Sequence, residues 1–267
     1  MRMVKLTIGY LGESYNGWQI QPEYPHVKTI QNELQKALKI LTKEDIKVLG
    51  AGRTDAGVSA LGQVASFYTK SSIPHDRYPT ALNGILPEDI VVYKAEAVQN
   101  DFHPIKDAKG KWYRYHIYTG GFPHIFYNKM SHHIPHKLDI QVMSEAASLL
   151  QGEHDFRSFC VAKTSKKDFV RNIKRCQITV QKSFVFLDIY GDGFLYNMVR
   201  IIAGTLILIG KGKLSLLDIP EIIDAKDRAM AGPTAPAKGL CLVRVDYEIK
   251  ENLFCNVESL DMPLLFY

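Results

Sequence analysis

Residues Ala51 to Gln63 read AGRTDAGVSALGQ and lie between two apolar runs, IKVLG from Ile46 and VASFY from Val64. The flanking runs predict two strands and the segment between them a turn. The turn is unusual in its charge. Arg53 and Asp55 stand one residue apart among Gly, Ala, Thr, Ser, Val and Leu. A surface loop would carry more Lys, Glu and Pro, and a core crossing would carry no charge. Gly52 and Gly57 flank the pair and permit a backbone that bulkier residues resist. In an extended segment the side chains at i and i+2 share a face. Arg53 and Asp55 can therefore project together into a cleft, as an ion pair that favours the ionised carboxylate. The alternative from spacing alone is a turn Asp bonded to its own backbone, with Arg53 as a surface partner.

Outward from this turn, Met3 to Tyr10 alternates as a strand does, and Thr29 to Leu41 puts Ile30, Leu34, Ala37, Leu38 and Leu41 on one helical face behind a Thr29 cap. Strands are expected over Ile46–Gly50, Gln63–Thr69 and Asp89–Val98, and a helix over His75–Leu86, stopped by Pro87. The order is β-α-β-β-α-β. The second half repeats it: an aromatic strand over Trp112–Tyr118, a helix over Asp139–Leu150, a hairpin of Asn172–Gln181 and Phe184–Tyr190 through Lys182-Ser183, an apolar helix over Phe194–Ile209, a further helix over Leu214–Ala225 and a closing strand over Leu240–Ile249. This predicts an α+β fold of two ferredoxin-like, split β-α-β halves, residues 1–104 and 105–267. Their antiparallel sheets would form a central cleft, with helices on the outer face.

The chain has 267 residues, 46% of them hydrophobic, and a net charge of +5. The length allows one large domain or two small ones. Basic residues cluster in KDAKGKWYR (Lys106–Arg114) and KTSKKDFVRNIKR (Lys163–Arg175). Basic side chains beside aromatics suit looped RNA, where phosphates pair with charge and bases stack on rings; the alternative is a solvated face. The longest apolar stretch, IIAGTLILI (Ile201–Ile209), is too short to span a membrane. The opening MRMVKLTIGY enters strand alternation without a signal-like h-region, so a cytoplasmic location is expected. Cys160, Cys176, Cys241 and Cys255 form no C-x-x-C pair and are expected to be reduced, buried thiols rather than metal ligands. His132, His133 and His136 of SHHIPH do not make a metal site either, because Pro135 breaks helical i, i+4 geometry and no H-E-x-x-H arrangement occurs.

GAGRTDAGVSALGQV (Gly50–Val64) resembles the signature of the tRNA pseudouridine synthase A family. Further matches follow in order: YNGWQIQ (Tyr15–Gln21), LNGILPEDI (Leu82–Ile90), DFH (Asp101–His103) with the Y-x-Y strand at Tyr113 and Tyr115, FLYNMVR (Phe194–Arg200) and GLCL (Gly239–Leu242). There are two departures. Ser59 stands where His is commonest, and His103-Pro104-Ile105 stands where the family has His-Ala-Arg, so an arginine contact of the family is missing.

The resemblance implies an RNA isomerase that converts uridine to pseudouridine in the anticodon arm of tRNA, at positions 38 to 40, as a homodimer. The reaction turns a C–N bond into a C–C bond with no net redox change and no hydrolysis, so no cofactor, metal or ATP is implied. Asp55 would be the catalytic carboxylate. It would attack C1′, add to C6 of the base, or remove the C2′ proton; the sequence leaves the three routes open. Tyr113 would stack on the flipped base, with Tyr115, on the same strand face, as the competing assignment. Arg200, a charge on an apolar helix that needs a partner, would meet Asp55 across the cleft. Arg53 would engage phosphate and help flip the nucleotide, and Leu240 would form an apolar wall under the base.

Two other functions are weaker. An RNA-binding protein without catalysis would need basic grooves but no ionised carboxylate. An aspartic hydrolase would need a second D-[ST]-G carboxylate, which is absent. His103 beside Asp101 has the look of a dyad, but the family does not use it as one.

Overall fold

A computed structural model describes residues 1–161 and 168–248. The Lys163–Lys167 part of the basic run and Cys255 lie outside the described residues.

The alternation at the N-terminus builds β1 (Arg2–Tyr10), whose Val4, Leu6 and Ile8 are fully buried. Helix α1 (Ile30–Thr42) begins where Thr29 accepts from the Asn32 backbone N–H at 3.4 Å, and it buries Ile30, Leu34, Ala37 and Leu38. The run after it yields only a two-residue strand, β2 (Leu49–Gly50), followed by the 51–58 turn and the long β3 (Ser59–Thr69). Helix α2 (Tyr78–Asn83) is shorter than the expected His75–Leu86. A 3-10 turn precedes it, and Pro79, which has no N–H to lose, sits in its first turn. At its end, the Asn83 side chain donates to Val92 O at 3.0 Å and accepts from Val92 N at 2.8 Å, which ties α2 to β4 (Ile90–Val98).

In the second half, β5 (Gly110–Tyr118) carries the aromatic run, with Tyr113, Tyr115 and Ile117 in the core. A two-residue strand, β6 (His132–His133), and a four-residue one, β7 (Gly152–Asp155), were not expected from the sequence, being too short to show alternation. Between them lies α3 (Ile140–Ser148), capped by Asp139, which accepts from Val142 N at 3.1 Å. The hairpin forms as β8 (Val170–Gln181) and β9 (Phe184–Gly191), with Gln181 opposite Phe184. Helix α4 (Met198–Gly210) starts four residues later than expected, because Asn197 adopts left-handed φ 62° and breaks the helical path. Helix α5 (Asp218–Ala225) and β10 (Leu240–Asp246) complete the chain.

The strands form one mostly antiparallel sheet of ten, in the order β4-β1-β3-β10-β5-β9-β8-β7, with β2 on β3 and β6 on β5. This corrects the expectation of two separate sheets. β10 pairs in parallel with β3 (Cys241 opposite Ser59, Leu242 opposite Ala60) and antiparallel with β5. Two separate sheets would leave β10 and the start of β3 as open edges; the short parallel seam pairs them. The 51–58 turn ends where that seam begins, so the segment quoted above lies on the line joining the two halves. Among the described residues no helix is long and apolar enough to cross a membrane.

Candidate active site

The turn is held from below by side chains of neighbouring strands. Thr54 is buried, and its hydroxyl lies 2.8 Å from the Tyr10 hydroxyl. Gln63, fully buried, donates to Gly52 O at 3.0 Å and to the Tyr10 hydroxyl at 3.4 Å. From the side, Trp18 N donates to Thr54 O at 3.1 Å and Gly57 N to Tyr15 O at 3.2 Å. These bonds explain the YNGWQ stretch. Gly17 has φ +85°, and a Cβ there would stand 2.5 Å from Thr54 O, so a side chain at this position would push the turn away. With Thr54 directed inward, its neighbours face outward: Asp55 is half-buried and Arg53 exposed.

Arg53 is not the partner of Asp55. The Asp55 Oδ2 accepts instead from Arg200 Nη1 at 3.0 Å, and the two side chains retain only 23% and 17% of their exposure. The Asp55 carboxylate is not bonded to its own turn either; only its main-chain oxygen is used locally, by Val58 N at 3.1 Å. Its Oδ1 has no hydrogen-bond partner among the described residues.

Arg200 is itself fixed at several points. Its Nε donates to Ala235 O at 2.8 Å, and Nη1 also donates to Asn197 Oδ1 at 3.0 Å. The 231–236 segment that supplies the carbonyl is docked on α4 by Ala235 N to Arg200 O at 3.1 Å and Gly232 N to Thr205 Oγ1 at 2.9 Å. These contacts place a cation on an otherwise apolar helix with most of its donors used.

The two tyrosines of β5 have different environments. Tyr113 is 7% exposed and stands edge-on to Phe194, with ring centroids 5.2 Å apart. Burial, then the neighbouring Tyr10 and Asp55, push its hydroxyl far above the ordinary phenol range, so it stays neutral. That hydroxyl has no hydrogen-bond partner among the described residues. Tyr115 is fully buried and donates to Pro236 O at 2.9 Å. Tyr113 thus feels the charge of Asp55, while Tyr115 is committed to holding the Pro236 turn. Leu240 is 6% exposed, part of the core, and opposite Tyr115 in the sheet.

Other sequence candidates lie outside this group. The His103 ring Nδ1 accepts from the Ile105 and Lys106 backbone N–H groups at 3.2 and 3.3 Å, so His103 closes a turn rather than forming a dyad. Ile105 is 48% exposed. His132 is lowered to about 4 by partial burial and then by Lys211 and Lys238, while His133 Nε2 meets Gly120 O at 2.7 Å. Among the described residues no three His, Cys, Asp or Glu side chains are grouped as metal ligands. Cys160, Cys176 and Cys241 are buried.

The sequence reading passed over Asn197, Phe194, the Ala235 carbonyl and the Tyr10–Thr54–Gln63 support. Asn197 and Phe194 lie in the quoted FLYNMVR stretch, but only the fold shows what they touch.

A family model described as tRNA pseudouridine synthase matches residues 7–105 and 146–248. The chain belongs to the tRNA pseudouridine synthase family. Asp55, Arg53, Arg200 and Leu240 fall within the matched stretches, and Tyr113 lies between them. The chain is 49% identical over 247 residues to tRNA pseudouridine synthase A of Moorella thermoacetica and also to that of Acetivibrio thermocellus; each match covers 92% of this chain and 100% of the relative. The Bacillus subtilis enzyme of the same name is 47% identical over 247 residues, covering 92% of this chain and 99% of the relative. The family assignment therefore applies to nearly the full length of each relative.

Proposed function

We propose that this protein isomerises uridine to pseudouridine in the anticodon stem-loop of tRNA, with Asp55 as the catalytic carboxylate and no cofactor. The observation that carries the reading is the asymmetric state of Asp55. Arg200 holds Oδ2 at 3.0 Å, while Oδ1 has no hydrogen-bond partner among the described residues, and the charge of this carboxylate helps keep the Tyr113 hydroxyl neutral. The guanidinium anchors one oxygen, and the free oxygen is the reactive one whether the Asp attacks C1′, adds to C6 or removes the C2′ proton. Uracil must leave C1′ through N1, turn, and rejoin through C5, after which the C5 proton departs. Tyr113, fixed edge-on by Phe194, offers a ring for the flipped base and a hydroxyl near the proton that moves.

The exposed Arg53 engages phosphate and helps flip the nucleotide. Lys111 supports that role; its ammonium lies 3.4 Å from where a Cβ on Gly52 would stand. Leu240 forms the apolar wall under the base. The substrate positions are 38 to 40 of tRNA, and the enzyme acts in the cytoplasm as a homodimer. The 1–104 and 105–267 halves act as two ferredoxin-like lobes. Their strand orders, β4-β1-β3-β2 and β10-β5-β9-β8, are the same permutation of four.

The test replaces Asp55 with Ala and maps pseudouridine in an unmodified tRNA transcript. Loss of product by about a thousandfold or more is expected for a covalent or general-base carboxylate. Persistent activity would sink the assignment.

A further inference from the structure

We propose that Asn197 is a positioning residue, which holds the Arg200 guanidinium in register with Asp55. This rests on the isomerase reading above and adds a residue to it. Asn197 occupies the residue before α4, where an Asn usually caps the helix with its side chain. Here it caps nothing. Its backbone is left-handed, at φ 62° and ψ 5°, a conformation that Asn tolerates better than most residues. This turns the amide away from the helix N–H groups and toward the side chain three residues on.

The Asn197 Oδ1 accepts from Arg200 Nη1 at 3.0 Å, and the same nitrogen donates to Asp55 Oδ2 at 3.0 Å. Nη1 has two hydrogens, one for each acceptor. With Nε on Ala235 O at 2.8 Å, the guanidinium is fixed at three of its five N–H bonds. Without the amide oxygen, one N–H in a pocket only 17% exposed at Arg200 has no acceptor, and the guanidinium can rotate about its remaining contacts. The acceptor is also neutral, so it orients Arg200 without competing with Asp55 for its charge. A carboxylate in its place would divide the guanidinium between two anions.

Two substitutions in the full-length chain, assayed for turnover of unmodified tRNA, separate this role from a backbone one. Asn197→Gly keeps the left-handed backbone and removes the amide. Asn197→Asp keeps the shape and adds a competing charge. The expected result is a fall in kcat of roughly 10- to 100-fold for Asn197→Gly, the size of a hydrogen bond to a charged group. Asn197→Asp should lose more, and KM should be unchanged in both. In an Arg200→Lys background, Asn197→Gly should cause no further loss.

Wild-type kcat in both variants, a change confined to KM, or a full additional loss in the Arg200→Lys background would each overturn the proposal. If Asn197→Gly does not fold, Asn197→Asp and its Arg200→Lys double carry the test. Failure here is distinct from failure of the isomerase reading, which shows as product formed by Asp55→Ala.

Discussion

Two of the aspartate–arginine pairs in this molecule, Asp188–Arg114 and Asp55–Arg200, are built differently. Asp188 on β9 is fully buried opposite Arg114 on β5. Its Oδ1 accepts from Trp112 Nε1 at 2.7 Å and Arg114 Nε at 2.8 Å, and its Oδ2 from Arg114 Nη2 at 3.0 Å. Both oxygens are occupied, both charges are contributed by strands of one sheet, and the Asp188 side chain has no exposure. Asp55 is bound by one oxygen only, to a guanidinium from a helix far along the chain, and remains 23% exposed. A buried carboxylate with both oxygens bonded supports the fold. One that is paired yet unfilled has capacity left for chemistry.

Exchanging each Asp for Asn should separate the two most sharply. Asp55→Asn is expected to remove pseudouridine formation by about a thousandfold or more while shifting stability by less than about 1 kcal/mol, since both partners keep contact with water. Asp188→Asn leaves Arg114 without its counter-ion and should cost about 3 to 5 kcal/mol, with activity per folded molecule retained. Urea unfolding read alongside product mapping checks both. A stability loss at residue 55 matching that at 188 would erase the distinction.

The arginines provide the next test. Arg200→Lys keeps the charge but not the fork that spans Asp55, Asn197 and Ala235; turnover should fall about 100-fold. Arg114→Lys should act on unfolding alone, by about 2 kcal/mol.

On the structural face, His116 is two residues from Arg114. Burial, then Arg114, lower it to about 4, and its Nδ1 lies 3.1 Å from Gly239 O. A buried His held neutral binds no proton in the folded chain, while the unfolded chain takes one below its ordinary value near 6.5. Its contribution is therefore whole above about pH 6.5 and is lost as pH falls toward 4, by about 2 kcal/mol between pH 7 and 5. Half-buried His132 adds a smaller loss of the same sign. His116→Gln should flatten this slope in denaturant melts; an unchanged slope would assign it elsewhere.

The smallest effects come from the two tyrosines. Tyr113→Phe should lower kcat about tenfold with little change in melting. Tyr115→Phe should leave kcat near wild type and cost about 1 kcal/mol through the lost bond to Pro236 O. The reverse pattern would exchange their roles.

Much of this was legible in the chain. The alternation of β1, β3 and β5, the Thr29 and Asp139 caps and the hairpin at Lys182 are local signals, and local physics reads them. The sequence starts α4 too early because Phe194 to Tyr196 extend the apolar run of the helix they precede, and a left-handed Asn leaves no mark in hydrophobic periodicity. β6 and β7 exist only as partners of longer strands. The choice between Tyr113 and Tyr115 was also closed to the sequence, since both share one face and differ only in what lies opposite.

What the sequence determined by itself was the α+β order of elements and the charged turn at Arg53 and Asp55, together with the motifs that tie the chain to its family. These follow from side-chain period, capping chemistry and glycine placement, all acting over a few residues. Spacing alone left Arg53 and Arg200 both open as partners of Asp55; the tertiary structure decided for Arg200, showed that β10 joins the halves into one sheet, and left one carboxylate oxygen without a partner among the described residues. Those facts depend on contacts between residues as far apart in the chain as 55 and 200. No local pattern encodes such a distance; it is set by how the core packs.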